Sequence, residues 1–393
     1  MKYYLIAGEA SGDLHASHLM RQLKEKDSNA QFRYFGGDAM AAVGGTLVRH
    51  YRDLAYMGFV QVLKHLPTIL RGMSFCKRDI EQFMPDAIIL VDYPGFNLDI
   101  AKWVKKNMPS VRVFYYISPK IWAWKEYRIE QIRKYVDRLL CIFPFEVEWF
   151  RQRGYEATYV GNPTVDELSV LTNQPFDREK FCKKHEINAN QSIIALLPGS
   201  RKAEICDNLP KMLEAATSIS CHQLVIAGAP ALSQEFYEDI TRKYKMVPPV
   251  KIVFGETYEL VRAAEVAAVT SGTATLETAY LRCPQVVCYH FGGGRPFYSV
   301  MQFVLRHIRF VSLVNLVLDG FSKEHPLKEA AVPELLGYKF SADLLHQNLI
   351  SLIGQSEARS RMLDQYDRMI EILGNPGASV RAATVIVGDL KKK

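Results

Sequence analysis

The sequence lacks the patterns that mark disulfide-bonded, exported or membrane-spanning proteins. Its seven cysteines form no Cys-x-x-Cys pair, and their odd number and scattered positions argue against a disulfide framework. The apolar run from Tyr3 to Ala7 is too short for the core of a signal peptide, and no later run reaches the roughly 18 apolar residues that span a bilayer. We therefore expect a protein of a reducing cytosol that does not span a membrane.

Three common nucleotide- and metal-binding motifs are also missing. The sequence has no Gly-x-Gly-x-x-Gly after its first apolar run, no Gly-Lys-Ser/Thr and no Asp-x-Asp, which argues against a dinucleotide site, a P-loop and the usual metal-diphosphate motif. Asp13, His15 and His18 are close in sequence, but no further ligand follows at a suitable spacing. We therefore assign no metal site.

Positive charge is confined to one segment. The net charge is +7, and residues 102–138 alone contain ten Lys or Arg against three acidic residues, so the rest of the chain is neutral overall. Aromatic residues are interleaved with these bases, which suits phosphates, anionic lipid or nucleic acid. A helix over Trp124–Tyr135 with a solvated face is the simpler interpretation, and no recognised nucleic-acid-binding module accompanies it.

The chain as a whole has the pattern of an α/β protein. Its 393 residues suffice for two domains. Short apolar runs alternate with helical patterns, which is typical of doubly wound parallel sheets. The predicted strands are, in the first sheet, Tyr3–Ala7, Phe32–Phe35, Ala87–Val91, Val111–Tyr116, Arg138–Ile142 and Thr158–Val160, and in the second, Ser192–Leu197, Gln223–Ala227, Lys251–Phe254, Val266–Thr270 and Gln285–Tyr289.

Turn-forming residues between 161 and 177 separate the two sets of strands. We predict an N-terminal domain over residues 1–168, a linker over 169–177, a second domain over 178–355, and C-terminal helices over 356–393 that pack back on the N-terminal domain. In such sheets the ligand crevice lies at the carboxyl ends of the strands.

Two glycine-containing segments each follow a strand and open a helix. In Gly8-Glu9-Ala10-Ser11-Gly12-Asp13, a tight turn capped by Ser11 or Asp13 is the structural explanation, and Glu9 is harder to explain in this way. In Leu196-Leu197-Pro198-Gly199-Ser200-Arg201, Ser200 can cap the helix, but Arg201 and Lys202 then oppose the helix dipole in the first turn. An anionic ligand such as a diphosphate would remove this conflict.

A third segment, Ser271-Gly272-Thr273-Ala274-Thr275-Leu276-Glu277, also starts a helix after a strand. Its small residues let a ligand approach free helix amides, which attract phosphate. Glu277 comes four residues after Thr273, too late for a capping box, so it shares the face of Thr273 and is placed to accept hydrogen bonds from a ribose diol. Two such helix starts in one domain predict a nucleotide site.

Asp92 follows a strongly apolar strand, in Val91-Asp92-Tyr93-Pro94-Gly95-Phe96-Asn97. An Asp before Pro and Gly commonly binds turn amides. Since a carboxylate at the carboxyl end of a strand faces the ligand crevice, Asp92 is also a candidate general base.

The helical stretch from Phe59 to Met73 is apolar on one face, as a core helix would be. Met57 and Val60 widen its apolar surface and keep a lipid-facing role open. The candidate membrane or acyl contacts are Met57, Val60, Lys120, Trp122, Trp124, Lys125 and Arg128.

In order and approximate spacing, these motifs resemble those of the lipid-A-disaccharide synthase family. The matching segments span nearly the whole chain and are Gly8–Asp13, Ile89–Asn97, Ser118-Pro119 with Trp122-Ala123-Trp124, Leu197–Arg201, Ser271–Glu277 and Ser312–Leu316. The resemblance implies a GT-B fold of two Rossmann-like domains with C-terminal helices, and an inverting, metal-independent glycosyltransferase without a cofactor. The implied reaction of lipid A biosynthesis joins UDP-2,3-diacylglucosamine to 2,3-diacylglucosamine 1-phosphate by a β-1,6 bond and releases UDP.

The resemblance also implies site residues and a location. Asp92 matches the base proposed for the acceptor 6-hydroxyl, and Glu9 and Ser11 match a loop near the sugar. The implied contacts of UDP and the donor are Gly199, Ser200, Arg201, Ser271, Gly272, Thr273, Ala274, Glu277 and Asn315. The first domain would be the acceptor and lipid side, attached peripherally to anionic lipid at the cytoplasmic face of the inner membrane, with no nucleic-acid partner.

Two positions depart from the family pattern. Asn162 stands where the family usually has His, so no role is carried onto it, and Lys120 replaces a smaller residue. Two other functions also stay open. A UDP-N-acetylglucosamine epimerase-like enzyme would need no acyl-chain surface, and a non-catalytic, membrane-associated UDP-sugar-binding protein would bind UDP without turnover.

Overall fold

The computed structural model describes residues 1–53, 66–244, 248–290, 309–322 and 326–392. The chain divides into two compact units. The first comprises Met1–Asp166 and Asn375–Lys393, and the second comprises Glu167–Gly374. Each unit is built on one parallel sheet covered by helices.

The first unit contains a seven-stranded sheet in the order β3-β2-β1-β4-β5-β6-β7. Its strands are β1 (Lys2–Ala7), β2 (Gln31–Gly36), β3 (Thr46–His50), β4 (Ala87–Val91), β5 (Arg112–Tyr116), β6 (Arg138–Cys141) and β7 (Thr158–Tyr159). Its helices before residue 167 include α1 (Ala10–Lys26), α2 (Asp38–Val43), α3 (Leu66–Phe83), α4 (Pro94–Asn107), α5 (Ile121–Trp124), α6 (Ile129–Tyr135) and α7 (Pro144–Arg151), with short 3-10 turns at Tyr51–Asp53 and Glu126–Arg128.

The second unit contains a six-stranded sheet in the order β10-β9-β8-β11-β12-β13. Its helices and strands are α8 (Pro163–Thr172, which begins just before the unit boundary), α9 (Arg178–Lys184), β8 (Ser192–Leu197), α10 (Lys202–Thr217), β9 (His222–Gly228), α11 (Gln234–Thr241), β10 (Lys251–Phe254), α12 (Thr257–Ala263), β11 (Val266–Thr270), α13 (Thr273–Tyr280), β12 (Gln285–Tyr289), α14 (Leu313–Asp319), β13 (Glu334–Leu336), a 3-10 turn (Gly337–Lys339), α15 (Ala342–Leu352) and α16 (Glu357–Leu373).

The central strands of both sheets are buried on both faces. Every residue of β4 and of β11 is buried, and only the first residue of β1 and of β8 is partly exposed. Continuous apolar strands of this kind are typical of parallel sheets with helices on each side. This is why the apolar runs of the sequence locate the central strands correctly.

An ion pair inside the first unit fastens α3 to the sheet. The guanidinium of Arg33 makes two hydrogen bonds to the carboxylate of Asp79, at 2.8 and 2.6 Å. The hydroxyl of Tyr4 donates to the same carboxylate at 2.9 Å. Because Asp79 is buried, these donors replace the water that its charge would otherwise need.

The structure differs from the sequence predictions at the sheet edges and at the linker. Strands β3 and β13 were not predicted, because the first is partly exposed throughout and the second has only three residues. Helix α8 occupies residues 163–172, which include the first part of the predicted linker. Its start is fixed by Asn162, whose side-chain oxygen accepts a hydrogen bond from the amide of Thr164 at 2.9 Å.

The two C-terminal helices belong to different units, whereas the sequence prediction placed both on the N-terminal domain. Helix α17 (Ala378–Lys391) does pack in the first unit, where Ala382, Ala383 and Ile386 join the core beside α1. Helix α16 packs in the second unit, where the hydroxyl of its buried Tyr366 accepts a hydrogen bond from the side-chain nitrogen Nε2 of Gln285 at 3.3 Å. The separation follows from the Gly374 to Gly377 break, since Asp166 accepts bonds from the amides of Gly377 and Ala378 at the start of α17.

All seven cysteines are free thiols, as their spacing predicts. Within the ranges given above, no helix combines the length and the apolar character needed to cross a bilayer.

Candidate active site

In the first unit, Asp92 lies where the sequence predicts it, at the carboxyl end of β4 and before α4. Asp92 and Tyr93 have φ angles of 44° and 48°, in the left-handed region that non-glycine residues rarely adopt. Each such residue costs about 1–3 kcal/mol, and strain of this kind is concentrated at functional sites. Among the described residues, Asp92 and Tyr93 are the only two consecutive non-glycine residues in this region, so the strain is concentrated at this turn.

The surroundings of Asp92 make its carboxylate a stronger base. Burial raises its pKa above the usual value, and this effect outweighs the opposing contributions of Lys120 and of the hydrogen bond from the Tyr93 amide. A general base works best when its pKa lies near the operating pH, so a raised pKa suits proton abstraction.

The loop Gly8–Glu9 follows β1, the neighbour of β4, and therefore lies beside the Asp92 turn. A Cβ atom on Gly8 would lie 2.4 Å from the ring of Tyr93, so glycine is required there. Glu9 is the cap residue of α1 without a side-chain capping bond, and Ser11 is exposed in the first turn of the helix. Both residues lie at the predicted edge of the sheet, and their sugar contacts stay a prediction.

Asp13 has a structural role in this loop. Its carboxylate accepts hydrogen bonds from the amides of Gly37, Ala39 and Met40, at 2.6, 2.9 and 3.2 Å. It therefore joins α1 to the segment after β2 and does not cap its own helix. Among the residues that the structure describes, no three His, Cys, Asp or Glu side chains are grouped as metal ligands would be.

Sequence reasoning missed Glu146 in α7, one of the buried acids of the first unit. Its carboxyl group accepts bonds from the amides of Ile142 and Phe143 and from the indole nitrogen of Trp122, at 3.2–3.3 Å. Burial raises its pKa to about 8, against the lowering effect of these donors and of Lys120. The signal available in the sequence was an acid three residues after the cap residue Phe143, as in a capping box.

The predicted membrane contacts are described only in part. Lys120 is exposed, and Trp122, Lys125 and Arg128 are partly buried. The ring of Trp122 meets Phe145 edge-on, with centroids 5.3 Å apart, so this side chain has an interior partner. Met57, Val60 and the side chain of Trp124 lie outside the described residues.

In the second unit, Gly199, Ser200 and Arg201 form the loop between β8 and α10. Gly199 has φ of 112°, and a Cβ atom there would lie 2.9 Å from the carboxylate of Glu204. The prediction that Arg201 lies in the first helical turn is wrong, because Arg201 is the extended residue that precedes the helix. Glu204, in the first turn, forms an ion pair with Arg201 at 3.2 Å, and its negative charge interacts favourably with the positive end of the helix dipole. The helix itself therefore relieves part of the predicted charge conflict.

The segment Ser271 to Glu277 lies at the end of β11, the neighbour of β8. Gly272 precedes α13 with φ of 149°, and Ser271, Thr273 and Ala274 are all at least partly exposed around the helix start. The amino ends of α10 and α13 follow adjacent strands, so their free amides lie at the same edge of the sheet. This arrangement suits one anionic group that contacts both helices.

Glu277 lies one turn into α13 and is largely buried. The hydroxyl of Tyr258 donates to its carboxylate at 3.3 Å. Burial raises the pKa of Glu277 to about 7, the Tyr258 hydrogen bond lowers it, and the nearby Glu167 raises it further. Tyr258 and Glu167 were not identified from the sequence, because they come from α12 and α8.

Asn315 and Asn162 are both buried and both hydrogen-bonded within the protein. The Asn315 side chain donates to Val332 O and Glu334 Oε1, at 2.9 and 2.8 Å, and accepts from the Val332 amide at 3.1 Å. These hydrogen bonds fasten α14 to the start of β13 and explain the burial of Asn315. The predicted contact of Asn315 with the UDP-sugar stays a prediction. Asn162 donates to Ile142 O at 3.1 Å and caps α8, which accounts for this residue structurally.

Comparison with known proteins identifies relatives over the whole chain. The family model for lipid-A-disaccharide synthetase matches residues 3–381. A lipid-A-disaccharide synthase of Syntrophus aciditrophicus is 33% identical over 392 residues, which are 99% of this chain and 97% of the relative. One from Myxococcus xanthus is 35% identical over 389 residues, 98% of this chain and 96% of the relative.

Solved structures with the same fold are more distant in sequence. UDP-GlcNAc 2-epimerase from Neisseria meningitidis, bound to UDP-GlcNAc, has a TM-score of 0.59 at 13% identity and covers 100% of both chains. A calicheamicin glycosyltransferase has a TM-score of 0.57 at 13% identity, covering 99% of this chain and 98% of its own. At this identity the likeness concerns the fold alone, and it confirms the predicted GT-B architecture.

The raised pKa of Glu277 generates a prediction. If Glu277 accepts hydrogen bonds from both ribose hydroxyls, as the sequence predicts, its ionised form binds them more strongly than its neutral form. Since its pKa is about 7, the affinity for UDP should fall as the pH is lowered through 7. Isothermal titration calorimetry of UDP across this range measures the effect.

The matched control is Glu277→Gln, which removes the titrating group and leaves the titration of UDP itself unchanged. Its affinity should be lower and should follow only the titration of the ligand. A Glu277→Gln profile parallel to that of the unsubstituted protein would contradict the assignment.

Proposed function

Because this chain belongs to the lipid-A-disaccharide synthase family and is a glycosyltransferase of lipid A biosynthesis, we propose that it joins UDP-2,3-diacylglucosamine to 2,3-diacylglucosamine 1-phosphate. The product is a β-1,6-linked disaccharide, and UDP is released. The family match is the observation that supports this choice of reaction, and the geometry of Asp92 supports the proposed chemical step.

In the proposed step, Asp92 acts as the general base of a single displacement. Its carboxylate takes the proton of the acceptor 6-hydroxyl while the hydroxyl oxygen bonds to C1 of the donor sugar. The bond between C1 and the diphosphate oxygen breaks, and the electron pair leaves with UDP. One displacement inverts C1 and needs one base, which agrees with the raised pKa and strained turn of Asp92.

The leaving diphosphate would be stabilised by the second unit. The amino ends of α10 and α13 supply free amides and the positive ends of helix dipoles, and Arg201 adds a guanidinium group that also pairs with Glu204. These groups act on negative charge as it develops, which is the usual source of electrostatic stabilisation in transfer reactions. Since the sequence also has no Asp-x-Asp motif, we propose that the reaction needs neither a metal ion nor a cofactor.

Two alternative functions receive less support. The likeness to UDP-GlcNAc 2-epimerases is one of fold at 13% identity, whereas the synthases are 33–35% identical over almost the entire chain. A non-catalytic UDP-sugar-binding protein would have no use for a strained, basic carboxylate at Asp92. Turnover separates this possibility from the proposed enzyme.

We further propose that the protein acts at the cytoplasmic face of the inner membrane, as a peripheral protein. Both proposed substrates carry acyl chains, and the acceptor also carries a phosphate. The exposed Lys120 and the partly buried Lys125 and Arg128 lie in the basic segment at residues 102–138. Lysine and arginine near a surface are attracted to anionic lipid by about 1 kcal/mol each.

The direct test of the function is an assay of the purified protein with both acylated substrates and a metal chelator. We expect UDP and the disaccharide in equal amounts, at the rate seen without chelator. A folded protein that binds UDP and forms neither product would return the question to the binding-protein alternative. Activity lost with chelator and restored by a divalent ion would contradict metal independence.

The role of Asp92 is tested by Asp92→Asn, which keeps the shape of the side chain and removes its basicity. Loss of a general base costs about 10²- to 10⁴-fold in rate. We expect a fall of this size in disaccharide formation, with unchanged affinity for UDP in calorimetry. Asp99→Asn, at an exposed position of the adjacent helix α4, is the matched control and should retain full activity.

Membrane contact is tested by vesicle sedimentation with anionic and neutral lipid. Replacement of Lys120, Lys125 and Arg128 by Gln should weaken binding to anionic vesicles, and added salt should weaken binding of the unsubstituted protein. The control replaces Lys180, Lys183 and Lys243, three exposed lysines of the second unit. Equal binding of both triple variants would reject the assigned surface.

A further inference from the structure

Two buried donors meet at one atom of the strained turn, the carbonyl oxygen of Asp92. The hydroxyl of Tyr115 donates to this oxygen at 2.6 Å, and the side-chain amide of Asn97 donates to it at 2.7 Å. Tyr115 belongs to β5, the neighbour of β4, and Asn97 lies in the first turn of α4. Both side chains are fully buried, so water does not compete for these bonds.

Other bonds restrict the peptide that precedes Asp92. The amide of Asp92 donates to Tyr116 O at 3.3 Å, and the Asn97 side chain also reaches Val91 O at 3.2 Å. Because the peptides before and after Asp92 are both hydrogen-bonded, the turn cannot rotate toward a relaxed conformation without breaking buried hydrogen bonds. Its orientation brings the Tyr93 amide to the Asp92 carboxylate, which accepts a hydrogen bond from it.

The two donors remain effective at any pH at which the protein is folded. Burial raises the pKa of Tyr115 well above its usual value, and the neighbouring Asp92 raises it further. The hydroxyl therefore stays protonated, and the amide of Asn97 does not titrate. Neither group depends on the ionisation of Asp92 for its bond, because both contact the backbone.

We propose that Tyr115 and Asn97 are positioning residues of the glycosyl transfer, which hold the Asp92 carboxylate in its working orientation through the Asp92 carbonyl. The inference rests on the proposed role of Asp92 as the general base. Fully buried side chains do not bind substrate, so these two residues act on the rate indirectly, and the contact that they share is the Asp92 carbonyl. This separates them from residues that bind UDP or the acceptor.

Tyr115→Phe is the most selective test, since it removes one hydroxyl and keeps the buried ring. Loss of one such hydrogen bond corresponds to a fall in kcat of about tenfold, with little change in KM. The matched control is Tyr116→Phe. It removes a hydroxyl from the next residue of β5, whose side chain lies on the opposite face of the strand. The control should retain full kcat, and both variants should bind UDP as the unsubstituted protein does.

A second measurement separates positioning from general structural support. In an Asp92→Asn background, Tyr115→Phe should cause no further fall in rate, because the group that it orients has already lost its basicity. Asn97→Ala should also lower kcat in the otherwise unsubstituted protein and should leave the rate of the Asp92→Asn variant unchanged. Tyr115→Phe alone decides the question if Asn97→Ala does not fold.

The outcomes distinguish this inference from the proposed function. If Asp92→Asn is inactive and Tyr115→Phe keeps full kcat, the positioning role is overturned and the base stands. If Tyr115→Phe lowers the rate equally with and without Asp92→Asn, or if Tyr116→Phe has the same effect, the hydroxyl supports the fold and not the base. Full activity of Asp92→Asn overturns the base and the positioning role together.

Discussion

Most of the candidate site residues depend on one constraint, the parallel alignment of the strands in each sheet. Parallel strands end at the same edge, and the helix that follows each strand begins there. The pairing of β1 with β4 therefore places Gly8 beside the Asp92 turn, and the pairing of β8 with β11 places two helix amino ends side by side. The topology alone thus gathers the proposed base and its loop in one unit and the proposed anion site in the other.

This constraint also explains which features were predictable from the sequence. Asp92 and the Ser271 to Glu277 segment stand directly after fully buried strands, so local patterns are enough to locate them. The same holds for most central strands of both sheets, whose continuous apolar runs need no knowledge of the partners. Edge strands such as β3 carry a mixed pattern, because one side of the strand meets solvent.

Contacts between elements were not predictable in this way. Trp122 and Glu146 are 24 residues apart, and Tyr258 and Glu277 are 19 apart, so neither bond has a local signature. Asn315 was identified from its sequence motif, but its hydrogen bonds to Val332 and Glu334 were not predicted, because they depend on tertiary packing. The ion pair of Arg201 and Glu204 joins residues only three positions apart. It was not predicted, because Arg201 was placed inside the helix and not before it.

Two carboxyl groups of the first unit, those of Asp92 and Glu146, lie near Lys120. Burial raises the pKa of both, to about 8 in Glu146, although Lys120 and backbone amides favour the ionised form of each. Two ionised carboxylates near Lys120 would compete for its charge and would repel an acceptor that carries phosphate. When Glu146 is neutral, the ionised carboxylate beside Lys120 is that of Asp92, which the proposed displacement requires. Lys120 can then interact with Asp92 or with the acceptor phosphate.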